Sequence, residues 1–98
     1  MNVAFHPRVR KDIREIVDYY DQRSDTAGDR FIGELNELID KVRDSPKGFH
    51  PADERRRRCN LKKFPYHFLY ELVNKEQTIR ILVVRHDKRH PSFGLRRQ

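Results

Sequence analysis

The 98-residue sequence contains no tryptophan, one cysteine, one methionine and four glycines. A lone cysteine excludes an internal disulfide, so a stapled secreted scaffold is ruled out and a reducing compartment fits. With so few glycines there is no Gly-rich phosphate loop, and no Ser-centred elbow or Cys-x-x-Cys pair occurs. Long apolar runs are also missing. The longest aliphatic stretch is Ile81 to Val84, against the roughly 20 residues of a spanning helix. Met1 to Arg10 has no apolar segment of secretory length. These absences predict a cytoplasmic protein without membrane association. Apolar residues make up 36% and charged residues 38%, which predicts one domain over residues 1–98 with a modest core that gains stability from a bound partner.

Charge is abundant and unevenly placed. The formal net charge is +7. Residues 1–54 hold 9 Lys and Arg against 12 Asp and Glu, a balance of −3, whereas residues 55–98 hold 13 against 3, a balance of +10. The second half presents a cation to a nucleic acid or an acidic protein. Arginine outnumbers lysine there, and its planar fork suits phosphate and carboxylate contacts.

The periodicities divide the chain into six pieces. Asn2 to His6 alternates around Val3 and Phe5 and reads as a strand. Pro7 opens a helix, its missing N–H being harmless in the first turn. Val9, Ile13, Ile16, Val17 and Tyr20 follow at helical spacing. A second helix starts near the capping residues Ser24 and Asp25, carries Ala27, Phe31, Leu35, Leu38 and Val42, and ends at Pro46 and Gly48. A short connection makes the two an antiparallel hairpin. After a loop from Ser45 to Glu54, the strand candidates are Arg57 to Leu61, Tyr66 to Val73 and Thr78 to Arg85.

A four-residue loop at Asn74 to Gln77 places Val73 opposite Thr78. Leu72 then faces Ile79, Tyr70 faces Ile81 and Phe68 faces Val83, while Glu71 meets Arg80, Leu69 meets Leu82 and His67 meets Val84. In the preceding hairpin, Leu61 opposite Tyr66 puts Cys59 against Phe68 on the core side. The order strand, helix, helix, strand, strand, strand predicts an α+β domain, an antiparallel sheet with the helical hairpin on one face. The reverse face is expected to stand open, with Arg58, Asn60, His67 and His86 around an apolar floor of Leu69, Leu82 and Val84, the pattern of a docking groove.

Five histidines raise the question of a metal. His86, Asp87 and His90 form the densest cluster, but they follow a strand and run into Pro91, so the helical spacing that zinc exploits is absent. No metal and no cofactor are expected. Metal-free RNA cleavage is chemically open, with His67 and His86 as base and acid and Arg58 and Arg85 stabilising charge on the phosphate. The same residues equally suit the rim of a protein-binding groove.

Several strings resemble a known family. Phe64-Pro65-Tyr66-His67-Phe68-Leu69-Tyr70, Asp18-Tyr19-Tyr20 with Phe31, the Ile-Leu-Val-Val strand and the closing Arg85-His86-Asp87-Lys88-Arg89-His90-Pro91-Ser92-Phe93 together resemble the RelE/ParE superfamily of type II toxin-antitoxin toxins. The resemblance spans nearly the whole chain and agrees in element order. It implies a small toxin neutralised by a cognate antitoxin protein, with higher-order toxin-antitoxin complexes a further implication. RelE-like members cut mRNA on the ribosome without metal; ParE-like members act on DNA gyrase and lack that catalytic set.

Position by position, Arg58 matches a basic catalytic position. Asn60 stands where a second lysine is expected, His67 where an arginine is expected, and Phe93 where a C-terminal tyrosine would exchange a proton. The resemblance therefore implies ParE-like inhibition of gyrase first. The alternatives are a RelE-like endonuclease working through Arg58, His67, Arg85 and His86, or an inactive member that binds only its antitoxin. The implied binding surface takes in Asn60, Lys62, Lys63, Leu69, Leu82, Val84, Lys88, Arg89, Arg96 and Arg97, onto which an acidic, partly disordered antitoxin segment would fold.

Overall fold

The computed structural model describes all 98 residues. The elements are β1 (Asn2–Phe5), α1 (Val9–Asp21), α2 (Ala27–Asp44), β2 (His50–Pro51), β3 (Arg56–Asn60), β4 (Tyr66–Val73) and β5 (Thr78–His86). Five strands form one sheet in the order β1-β5-β4-β3-β2, and no helix is long and apolar enough to cross a membrane. The α+β class and the expected order of elements hold. The sheet is mixed, however, because β1 lies parallel to β5 while the other pairs are antiparallel. The extra β2 is a two-residue edge strand whose Pro51 sits where a missing N–H is tolerated.

The hairpin seals one face. Phe31, Leu35, Leu38 and Val42 of α2 and Val9 and Ile16 of α1 pack on Cys59, Phe68, Tyr70, Ile79 and Ile81. Phe31 lies 5.5 Å from both Phe64 and Tyr66, edge to face, and Tyr20 is 5.0 Å from Phe64, so large rings fill much of a small core. Ser24 accepts the Ala27 N–H at 3.1 Å and the Thr26 N–H at 3.2 Å. It thereby prepares the start of α2 at Ala27.

The β4–β5 register holds only near the hairpin loop. Val73–Thr78, Leu72–Ile79, Glu71–Arg80 and Tyr70–Ile81 pair as expected, but a bulge lies between Leu69 and Tyr70. Leu82 is the extra residue. Beyond it Leu69 meets Val83, Phe68 meets Val84 and His67 meets Arg85, rather than Leu82, Val83 and Val84 respectively. One inserted residue swaps the faces of everything that follows. Val84 therefore belongs to the core under the helices, not to the reverse face.

Candidate functional site

On the reverse face the paired rows run Asn60–His67–Arg85 and Arg58–Leu69–Val83, with Arg56–Glu71–Arg80 two residues further along. This face is not open. Residues 91–98 lie across it, and sheet arginines hold their main-chain oxygens. Arg85 donates to Pro91 O (2.7 Å) and Phe93 O (2.8 Å), Arg56 to Leu95 O (3.2 Å) and Arg80 to Gln98 O (2.6 Å). Leu69, Leu82 and Val83 are buried outside the helix-side core. Gly94 is required where the tail meets Val83. Its φ is +84°, and a Cβ there would fall 2.6 Å from a Val83 methyl.

A buried pair fastens the tail across the sheet edge. β1 accompanies β5 only as far as Ile81, leaving the outer edge of β5 bare beyond it. There Asp12 of α1 accepts the Val84 N–H at 3.1 Å and takes both terminal nitrogens of Arg97, at 2.6 and 2.8 Å. Arg97 also donates to the carbonyl of the bulged Leu82 at 3.1 Å. Such bidentate, charge-assisted contacts are the strong kind.

His67 is 1% exposed. Its Nε2 accepts the Nε–H of Arg85 at 2.9 Å, so its proton sits on Nδ1 and is donated to Asp87 at 2.8 Å. Burial, more than any other influence, lowers its pKa; the Asp87 hydrogen bond opposes this, and Arg58 and Arg85 add to it. The ring is thus neutral, with both nitrogens engaged. Burial also lowers the pKa of Arg85, with Arg58 adding to the effect. Asp87 further pairs with Arg58 at 3.5 Å, and Arg58 donates to Asn60 at 2.7 Å.

The other expected site residues divide. Lys88, Arg89 and Arg96 are exposed, and His86 is partly exposed, with its ring 5.0 Å from Tyr66 and its Nδ1 accepting the Lys88 N–H. Arg89 lies 3.9 Å over the Phe93 ring. Lys62 and Lys63 are exposed, but their main-chain N–H groups bind Glu34 of α2 at 2.8 and 3.1 Å, tying that loop to the helix layer. Arg97 is committed to Asp12. The expected bare apolar floor is corrected accordingly: Leu69 and Leu82 are buried outside the helix-side core, and Val84 lies under the helices. Two acids not singled out as organisers, Asp12 and Asp87, arrange this face. Asp87 is one of only three acids after residue 54, a signal that was available; Asp12 gave none.

The thiol of Cys59, buried at 1% exposure, is pushed up to about 11, which removes a nucleophile. What reaches solvent near the His67 cluster is a set of cations, Arg58, Lys88 and Arg89, with the imidazole of His86 at its side. That arrangement can grip anionic groups.

In fold the chain is similar to solved toxins. With the chromosomal ParDE TA system from P. aeruginosa it shares a TM-score of 0.74 at 16% identity, covering 88% of this chain and 95% of that one. The isolated E. coli RelE toxin gives 0.62 at 15% identity, covering 94% and 89%. The intact E. coli RelBE toxin-antitoxin complex gives 0.62 at 15%, covering 90% and 98%. A search among curated proteins finds no match to the sequence. Sequence decides the family where fold alone does not: residues 3–91 match the family described as ParE toxin of type II toxin-antitoxin system, parDE, and to that family the chain belongs.

Proposed function

We propose that this chain poisons DNA gyrase by ParE-like protein–protein binding and is silenced by a cognate antitoxin. The observation that supports it is the state of His67, neutral, hydrogen-bonded at both nitrogens and fully buried. A general base must reach the proton it abstracts, and His67 does not. Phe93, where the resemblance calls for a proton-exchanging tyrosine, points the same way. Arg58, Lys88 and Arg89 then serve as the contact surface for an acidic patch of the target.

The antitoxin would be acidic and partly disordered before binding, folding onto the basic half as it docks. Its affinity should fall with salt, leaving a residual apolar part.

His86, partly exposed beside Arg89, is the one observation that favours the endonuclease reading, and expression in growing cells separates the two. DNA breaks with an SOS response, retained in His86→Ala and lost in Lys88→Glu/Arg89→Glu, are the expected result. Codon-position-specific mRNA cuts abolished by His86→Ala would overturn it.

A further inference from the structure

A second cationic feature lies apart from the His67 cluster, between the turn joining β1 to α1 and the tail. This open groove encloses about 920 Å³, and its lining includes His6, Arg8, Phe93, Arg96 and Arg97 with no acidic residue. The nearby acid, Asp12, has both oxygens occupied by Arg97. Arg8 on the turn and Arg96 on the tail are exposed, and their side chains have neither an ion pair nor a hydrogen bond. Two guanidinium forks therefore enter one trough with no carboxylate side chain in its lining.

His6 lines the same trough. It is 9% exposed and accepts the Arg8 N–H on Nδ1 at 3.1 Å, so its neutral ring carries the proton on Nε2. Burial lowers its pKa first, then Arg80, Arg97 and Arg8 in turn, with Asp12 alone opposing. Arg80 and Arg97 are partly neutralised by Glu71 and Asp12; Arg8 is not.

We propose that this groove is a phosphate-binding site, taking consecutive phosphates of a nucleic-acid strand or of a nucleotide between Arg8 and Arg96, with His6 beside them. Guanidinium forks match phosphate oxygens bidentately. An open trough with cations on both walls suits a chain of phosphates better than a single carboxylate.

The test is a titration of the full-length protein, without gyrase or antitoxin, so its result is independent of the proposed target. Sodium tripolyphosphate, a short oligothymidylate and hexaglutamate are added separately while the His6 imidazole is followed by NMR across pH. Bound phosphate should raise the His6 pKa. Arg8→Gln and Arg96→Gln should each weaken binding about tenfold and lower the slope of log affinity against log salt by about one. Arg43→Gln on α2 should change neither. Tighter binding of the oligonucleotide would assign the site to nucleic acid, and tighter tripolyphosphate binding to a free nucleotide. An unmoved His6, equal loss in Arg43→Gln, or hexaglutamate binding as tightly as the phosphates would overturn the proposal. Both groove arginines are exposed, so their loss leaves folding intact.

Discussion

On one face of the sheet the helical hairpin lays Phe31, Leu35 and Val42 against Phe68, Tyr70 and Ile81 with no charged side chain among them. On the other, residues 91–98 are held by Arg56, Arg80, Arg85 and Arg97, which donate to main-chain oxygens and to Asp12. The first face relies on apolar burial, which is non-directional and not screened by salt. The second relies on hydrogen bonds that need each partner in place. A chain with few apolar residues can seal one face of a sheet with them. It covers the other with arginines, and that cover is the part a partner or a mutation can lift.

The contrast can be broken from the helix side first. Phe31→Ala empties a fully buried site among three rings and should cost about 4 kcal/mol, so that urea unfolding shifts sharply and equally in low and high salt. Asp12→Ala should cost about 3 kcal/mol by stranding buried Arg97 and the Val84 N–H. Unlike the core change, it should expose residues 91–98 to protease and hydrogen exchange before the rest unfolds. Simultaneous loss of both faces would show that the tail is not separately hinged.

Gly94→Ala combines an unfavourable φ with a clash against Val83 and should cost about 2 kcal/mol, again in tail protection. Tyr70→Phe sharpens the helix side. The Tyr70 hydroxyl donates to Pro46 O at 2.6 Å, and burial pushes its pKa up to about 12; losing that bond should cost about 1 kcal/mol without disturbing the tail.

The gentlest probe is pH. His67 and His6 both have pKa values lowered from the ordinary 6.5, so the unfolded chain takes up their protons first. Their contribution is full above about pH 6.5 and is lost as pH falls from there toward the lower folded values. Stability measured by urea midpoint should decline over that window, and His67→Gln with His6→Gln should flatten the decline.

Much of this architecture was legible from spacing. The helical stripes, the loop at Asn74 to Gln77, the Cys59–Phe68 pairing and the burial of Tyr66 and Tyr70 all follow from side-chain period and turn length. The pairing beyond Tyr70 was not, because nothing in the run Ile81 to Val84 distinguishes the residue that bulges. Four aliphatic side chains read alike, and the twist of the strand pair decides which one is unopposed. That single unknown moved Val84 from the reverse face to the core. The fold of the tail leaves no sequence signal for a related reason. Arg85 and Arg97 read as free surface charge, and their partners, main-chain oxygens and Asp12, are invisible to any charge count.

By itself the sequence determined the element types, the helix-covered face and the family, because periodicity, turn chemistry and short ordered strings are local properties of the chain. Only the tertiary structure decided that β1 joins β5 in parallel, that Leu82 bulges, and that the basic end folds back to neutralise part of its own charge. Those outcomes depend on contacts between residues as far apart as Asp12 and Arg97, whose pairing is selected by geometry in three dimensions and leaves no periodic trace.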